Sequence, residues 1–136
     1  MAYQMTVAHK TMIDNHLNKI SEIIIGRAYK VSNTLGCGFL EKVYENALAY
    51  ELSQAGIKTQ QQYEIPVHYG DILVGAYTAD LLVEDLVLIE LKVVKNLDDI
   101  HLAQCLNYLK ATRKELCLLI NFYRPKVEIR RIINHP

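Results

Sequence analysis

The sequence lacks an excess of charge of either sign, a long apolar run and cysteines in a paired arrangement. Its 15 Lys and Arg balance 15 Asp and Glu. No apolar run reaches the roughly 18 residues that a membrane-spanning helix needs, and the first ten residues show no apolar segment behind a basic start, which a secretory signal would require. Cys37, Cys105 and Cys117 are odd in number and far apart, so they indicate neither a disulfide framework nor a zinc site. We therefore expect a cytoplasmic protein with reduced thiols and no membrane contact.

The distribution of charge is less even than its sum. Residues 80–99 hold six acids and two lysines, whereas residues 110–136 hold seven Lys or Arg and two acids. Zero net charge argues against strong binding to phosphates, which usually depends on excess Lys and Arg. The uneven distribution suits a metal site beside a phosphate-binding surface, and it suits a solvated surface without a partner equally well. The candidates for phosphate contact in nucleic acid are Lys110, Arg113, Lys114, Arg130 and Arg131.

The 136 residues predict one domain, with residues 1–13 as a possible flexible arm. Apolar residues at steps of three and four predict an amphipathic helix that Asp14 caps and Gly36 ends. The predicted helices cover residues 14–35, 39–55 and a segment that begins at Asn96 or Asp98 and reaches Ala111. The predicted strands cover residues 57–68, 72–77, 78–83, 87–94, 116–121 and 126–133. Strands grouped first, followed by a helix and a further strand, predict an α/β fold with a mixed sheet and helices on its faces.

The segment from Thr78 to Lys92 carries the strongest functional signal. It reads as two apolar strands around a turn at Glu84 and Asp85, interrupted by Asp80, Glu90 and Lys92. Burying carboxylates without compensation costs several kcal/mol, on the order of the penalty for a buried ion, so such residues indicate a cation site or chemistry. A structural alternative is an ion pair between Glu90 and Lys92 at a sheet edge.

A hard cation such as Mg²⁺, or Mn²⁺ in its place, fits this set of donors. Such cations prefer carboxylate and carbonyl oxygens, which Asp80, Glu90 and the backbone carbonyl of Leu91 supply, while Glu41 completes the shell through water. A metal held there would polarise a phosphoryl oxygen and favour hydrolysis. Lys92 would position the attacking water or stabilise charge in the transition state.

From about Leu17 to Ile133 the chain resembles the GxxExxY family, a small branch of the PD-(D/E)xK nuclease superfamily. Five ordered blocks carry the resemblance: Gly38-Phe39-Leu40-Glu41-Lys42-Val43-Tyr44, Tyr77-Thr78-Ala79-Asp80-Leu81-Leu82-Val83, Ile89-Glu90-Leu91-Lys92, Gln104-Cys105-Leu106-Asn107-Tyr108-Leu109 and Leu119-Ile120-Asn121-Phe122. The chain departs from the family's usual residues at Ser32, Cys117, Tyr123 and Glu128. None of these departures removes a proposed metal ligand.

The resemblance implies a restriction-endonuclease-like αβββαβ core with an extra N-terminal helix and a C-terminal edge strand. It implies Asp80, Glu90 and Lys92 as the catalytic triad and Glu41 as an added acid. It also implies Gln104 and Tyr108 as the polar pair on the helix behind the site.

We accordingly expect a metal-dependent nuclease or phosphodiesterase that acts on nucleic acid, with DNA as the expected partner, alone, as a homodimer or inside a larger complex. The alternative is a binding scaffold that keeps the fold without turnover. Tyr63, Tyr69 and Tyr77 are candidates for stacking on bases, although strand tyrosines more often pack in the core.

Overall fold

The structure is a computed structural model that describes residues 6–135. Within these residues, two helices are followed by three strands, a third helix and two further strands. In order they are α1 (Val7–Leu35), α2 (Glu41–Gln54), β1 (Thr59–Tyr69), β2 (Ile72–Val83), β3 (Val87–Lys92), α3 (Asp99–Thr112), β4 (Leu116–Asn121) and β5 (Glu128–Ile133). No helix within residues 6–135 is long and apolar enough to cross a membrane.

The five strands form one mixed sheet in the order β1-β2-β3-β4-β5. β3 and β4 pair in parallel, and the other neighbouring pairs are antiparallel. Parallel neighbours need a crossover connection, which α3 provides. The predicted fold class is therefore confirmed. The apolar strand Leu116–Asn121 lies inside the sheet, between β3 and the edge strand β5, and Pro66 lies in the other edge strand, β1.

Helices cover both faces of the sheet and create two cores. Ile24, Leu48 and Leu52 from α1 and α2 pack on one face, against Ile89, Leu91 and other strand residues. Cys105, Tyr108 and Leu109 from α3 pack on the opposite face, against Leu88, Leu119 and their neighbours. Because β3 and β4 are buried on both faces, their sequences are almost continuously apolar. Charged residues inside such strands have no place in a core built only for stability.

Two boundaries differ from those that the sequence predicts. Helix α1 begins at Val7 instead of Asp14, with the N–H of Lys10 bonded to the carbonyl of Thr6 (3.0 Å), so residues 7–13 belong to the helix. Residues 1–5 lie outside the described part of the chain. The predicted strands 72–77 and 78–83 form one strand, β2, because β1 is long enough to pair along it from Thr59 to Tyr69.

Candidate active site

The site begins at an irregularity in β2. Ala79 packs in the core beneath α3, whereas Leu81 packs in the core beneath α1 and α2. Residues two apart in a regular strand face the same side, so the alternation is interrupted at Asp80. The register of β1 and β2 sets Gln62 opposite Asp80, and Gln62 has a positive φ of 55°. Irregularities of this kind re-aim side chains near functional sites, and here the side chain concerned is a carboxylate.

The hairpin between β2 and β3 brings Asp80 to Glu90. Glu84, Asp85 and Leu86 form its turn between the paired Val83 and Val87, and Glu84 and Asp85 take the left-handed conformation, with φ of 53° and 57°. Leu81 then pairs with Ile89, which sets Asp80 and Glu90 one step further along the same register. The backbone N–H of Leu91 donates to Oδ2 of Asp80 at 2.7 Å. Asp80 is thereby fixed to the strand that carries Glu90 and Lys92.

The two carboxyl groups occupy one poorly solvated site. Glu90 is 4% exposed. Burial, followed by a hydrogen bond with Asp80 and by the negative charge of Asp80, raises the pKa of Glu90 from 4.5 to about 9, against the opposing charge of Lys92. Two carboxylates that share a site cannot easily both ionise. Without a bound cation, the pair therefore retains a proton at neutral pH.

Tyr108 holds Glu90 from the side of α3. The tyrosine is 2% exposed, and its hydroxyl donates to Oε2 of Glu90 at 2.8 Å, with the carbonyl of Thr78 at 3.2 Å. Burial and the adjacent Glu90 raise the pKa of Tyr108, so it remains a neutral donor. Gln104, one turn earlier on α3, lines an open cavity of about 520 Å³ together with Lys92. The predicted pair thus splits into one residue that contacts a carboxylate and one that lines the cavity.

Glu41 approaches the site from the opposite face of the sheet, at the start of α2. The backbone N–H of Val93 bonds to its carboxylate. Its pKa is raised first by burial and then by Asp80, while Lys92 and the Val93 N–H act in the opposite direction. Glu41, Asp80 and Lys92 are therefore near enough to interact electrostatically.

The spacing Gly38–Glu41–Tyr44 has a physical basis. Gly38 has a φ of 105°, which favours glycine. The buried Tyr44 hydroxyl donates to the carbonyl of Gly36 at 2.7 Å and accepts the N–H of Phe39 at 3.3 Å, and its ring stacks on Phe122 with centroids 4.6 Å apart. The tyrosine thus fastens the loop before α2, and this loop sets where Glu41 begins the helix.

Two buried polar residues support the site without having been predicted to do so. Asn121, 1% exposed, donates from Nδ2 to the carbonyl of Val94 at 2.7 Å and accepts the N–H of Val94 at Oδ1 (3.1 Å). It thereby holds the backbone next to Val93, which bonds to Glu41. The signal that could have revealed it is a lone amide at the end of an otherwise apolar strand.

Glu45, the second of these residues, is 3% exposed on α2. Its carboxylate accepts hydrogen bonds from Lys42 (2.9 Å), Gln61 (2.7 Å) and Gln62 (2.6 Å). Glu45 therefore anchors the irregular part of β1 that lies opposite Asp80. A charged residue directly beside the apolar Tyr44 on the helix was the available sequence signal.

The donors fit a hard divalent cation better than zinc. Within residues 6–135, no three His, Cys, Asp or Glu side chains come together as a metal-binding group, whereas structural zinc sites use four such ligands. Mg²⁺ usually needs only one or two protein carboxylates, with waters and substrate phosphate completing its shell. Asp80 and Glu90 are the carboxylates that would hold such an ion, and Glu41 would act through water.

The five basic residues that the sequence singled out do not form one surface. Arg131 donates to Ser21 and Asn18 of α1. Lys114 donates to the carbonyl of Asp85 at 2.7 Å, and Arg130 pairs with Glu128 at 3.5 Å. Arg113 ends α3 in the left-handed conformation, with φ of 60°. Of the five, Lys110 is the residue that lines a cavity beside the site, of about 410 Å³.

The comparison with family models agrees with this architecture. The family model described as the PD-(D/E)XK nuclease superfamily matches residues 18–132. Among solved structures, the chain is similar to an alkaline exonuclease (LHK-Exo) from Laribacter hongkongensis, with 14% identity, coverage of 84% of this chain and 82% of that chain, and a TM-score of 0.48. A search of curated proteins found no match. The narrower resemblance to the GxxExxY branch stays a prediction.

Proposed function

The chain belongs to the PD-(D/E)XK nuclease superfamily, and we propose that it is a metal-dependent nuclease whose centre is formed by Asp80, Glu90 and Lys92. The reaction is hydrolysis of a phosphodiester bond in nucleic acid, with DNA as the expected substrate. Nucleases of this superfamily generally use divalent metal ions, and Mg²⁺ or Mn²⁺ is the ion that the donors favour.

One observation carries this proposal. Two carboxyl groups, on Asp80 and the nearly buried Glu90, lie together at the point where the regular alternation of β2 breaks. A protein gains no stability from such a pair, because crowding like charges in a dry site is unfavourable. The arrangement becomes favourable once a cation neutralises the pair. The structural alternative, in which Glu90 serves only to pair with Lys92, does not account for Asp80.

The residues divide the work of hydrolysis among them. Asp80 and Glu90 would hold the ion, with the N–H of Leu91 and the hydroxyl of Tyr108 fixing one oxygen of each carboxyl group. When bound, a divalent cation supplies the Lewis acidity that polarises the phosphoryl group and acidifies water. Glu41 would orient a water in the same shell.

Lys92 is the remaining group, and it lines the cavity where substrate would enter. An ammonium there would donate to a non-bridging phosphate oxygen as negative charge develops in the transition state, and it would orient the attacking water. Preorganised donors of this kind contribute on the order of 10²–10³-fold to a rate. Gln104 lines the same cavity, where its amide would contact the substrate next to the scissile bond.

The proposal is tested by cleavage of a panel that includes single-stranded, double-stranded and 3′- or 5′-tailed DNA together with RNA. The purified protein should cut at least one substrate with Mg²⁺ or Mn²⁺ and none with EDTA. Asp80→Asn should abolish the activity while the protein stays folded. Asp71→Asn serves as the matched control, since Asp71 lies in the hairpin turn after Tyr69, distant in sequence from the centre. Failure of wild type on every substrate and both metals would favour the binding scaffold instead.

A further inference from the structure

Two cavities next to the centre share part of their lining. The first, of about 520 Å³, contains Lys92, and the second, of about 410 Å³, contains His68 and Lys110. Tyr77 and Asn107 line both. The two therefore join into one groove between α3 and the β1–β2 hairpin, which begins at Lys92 and ends at Lys110. Each half has the volume of a typical small-ligand site, about 300–1,000 Å³.

The charge of the groove differs from that of the whole chain. The chain is neutral overall, but the groove is lined by Lys92, Lys110, His68 and His101 and, within residues 6–135, by no Asp or Glu. The backbone N–H of Asp98 donates to Nδ1 of His101 at 3.0 Å, which leaves the hydrogen of the neutral ring on Nε2. A groove with cations and donors, and without acids, complements a chain of phosphates.

Tyr77 is the aromatic side chain at the junction of the two cavities. It is 50% exposed, because β2 pairs with β3 only from Leu81 onward and, within residues 6–135, the preceding part of β2 pairs with β1 alone. One side of its ring contacts the ring of Tyr108, with centroids 5.9 Å apart. Tyr63, in contrast, packs against the core. One side of the Tyr77 ring is therefore held by Tyr108, while the exposed part of the ring does not pack in the core.

We propose that this groove binds a single-stranded segment of nucleic acid, with one unpaired base stacked on Tyr77 and a phosphate at Lys110. This inference rests on the proposed function, because it defines which strand reaches Lys92. Inside a double helix both faces of each base are already stacked on neighbouring bases, so no base face is free to stack on an aromatic ring in the groove. A single strand offers such a face at every nucleotide, and stacking on aromatic side chains is the usual basis of sequence-tolerant single-strand binding. The lysines at the two ends of the groove place the strand along the line between Lys110 and Lys92.

Binding can be measured separately from cleavage. Fluorescence anisotropy in EDTA would use a fluorescein-labelled oligothymidylate and a blunt hairpin duplex with the same number of nucleotides. Wild type should bind the single strand more tightly than the duplex, and Tyr77→Ala should weaken single-strand binding by at least about fivefold, as expected for loss of one stacked base. Tyr77→Phe should retain binding. Tyr50→Ala is the matched control, because Tyr50 is 63% exposed on α2, outside the groove.

Lys110→Ala provides a second measurement that does not depend on Tyr77. The logarithm of affinity should fall less steeply with the logarithm of salt concentration, by about 0.7 for one lost contact to a single-stranded phosphate. Equal binding by Tyr77→Ala and Tyr50→Ala, an unchanged salt slope, or a wild-type preference for duplex would each overturn the groove assignment. If Tyr77→Ala does not fold, the salt slope of Lys110→Ala decides.

Failure of this inference is distinguishable from failure of the proposed function. If wild type shows metal-dependent cleavage and Tyr77→Ala does not change single-strand affinity, the groove assignment is rejected and the nuclease assignment is retained. If single-strand binding depends on Tyr77 and Lys110 but no metal supports cleavage, the nuclease assignment is rejected and the groove assignment is retained.

Discussion

The substitution Glu90→Gln should stabilise the metal-free protein at neutral pH. Burial and Asp80 raise the pKa of Glu90 from 4.5 to about 9 in the folded state. A group with a raised folded-state pKa contributes its full stability below its unfolded pKa and loses it as pH rises towards the folded pKa. In the wild type, folding at pH 7 therefore requires Glu90 to take up a proton that the unfolded chain releases. Glutamine is neutral throughout and nearly the same shape.

The size of the effect follows from the interval between the ordinary pKa of Glu90, 4.5, and the pH of the measurement, 7. Each pH unit in that interval corresponds to about 1.36 kcal/mol, so the protonation cost at pH 7 is about 3 kcal/mol. Glutamine can accept the Tyr108 hydroxyl at Oε1 and donate to Asp80 from Nε2, which preserves both hydrogen bonds. We therefore expect Glu90→Gln to raise the free energy of unfolding by up to about 3 kcal/mol at pH 7 and to change it by less than about 1 kcal/mol at pH 4.5.

Urea denaturation in EDTA between pH 4.5 and 8 measures this difference. Glu45→Gln is the matched control, because Glu45 is buried to the same degree but is satisfied by Lys42, Gln61 and Gln62. That control should lose about 1–3 kcal/mol, the usual result of weakening charge-assisted bonds in the interior. Destabilisation by Glu90→Gln at pH 7 would refute the crowding of Asp80 and Glu90. So would a difference in free energy of unfolding between the variant and wild type that does not grow with pH.

Three further predictions concern the metal and the loop before α2. Calorimetry should show that Asp80→Asn combined with Glu90→Gln abolishes Mg²⁺ or Mn²⁺ binding, and equal affinity in the double variant would remove the site. Metal binding by wild type at pH 7 should release about one proton per ion, because Glu90 must ionise. Calorimetric titration in buffers of different ionisation enthalpy measures this release. No proton release is expected if Glu90 is already charged. Tyr44→Phe should destabilise the protein by about 1–3 kcal/mol in urea denaturation, since the buried tyrosine hydroxyl bonds to Gly36. Tyr50→Phe, on the exposed side of α2, should change stability by less than about 0.5 kcal/mol, and equal losses in the two variants would contradict the role of Tyr44.

Local sequence signals were sufficient where neighbouring residues determine the structure. The turn at Glu84 and Asp85 follows from two polar residues between apolar strands, and the interior position of β4 follows from its apolar run Leu116–Ile120. The proximity of Asp80 and Glu90 follows from the hairpin around that turn, although its exact register does not, because Leu86 joins the turn and Val83 pairs with Val87.

The remaining features depend on partners distant in the sequence. The break in alternation at Asp80 involves the backbone of Gln62 on the adjacent strand. Arg131 is bonded to α1 through Ser21, 110 residues earlier, a contact that its position in the C-terminal segment did not indicate. The first turns of α1 were missed because residues 7–13 lack the apolar periodicity by which the rest of the helix was recognised. None of these relations can be read from spacing within one segment.

The most direct test of the central claim separates the effect of Lys92 on rate from its effect on binding. Lys92→Ala should lower the metal-dependent cleavage rate by roughly 10²-fold or more while leaving nucleic-acid affinity within a few-fold, because the group acts mainly in the transition state. Lys92→Arg should restore little of the rate, since a broad guanidinium does not replace a compact ammonium. A Lys92→Ala variant that cleaves at the wild-type rate, or one whose defect lies only in affinity, would contradict the assignment of Asp80, Glu90 and Lys92 as a catalytic centre.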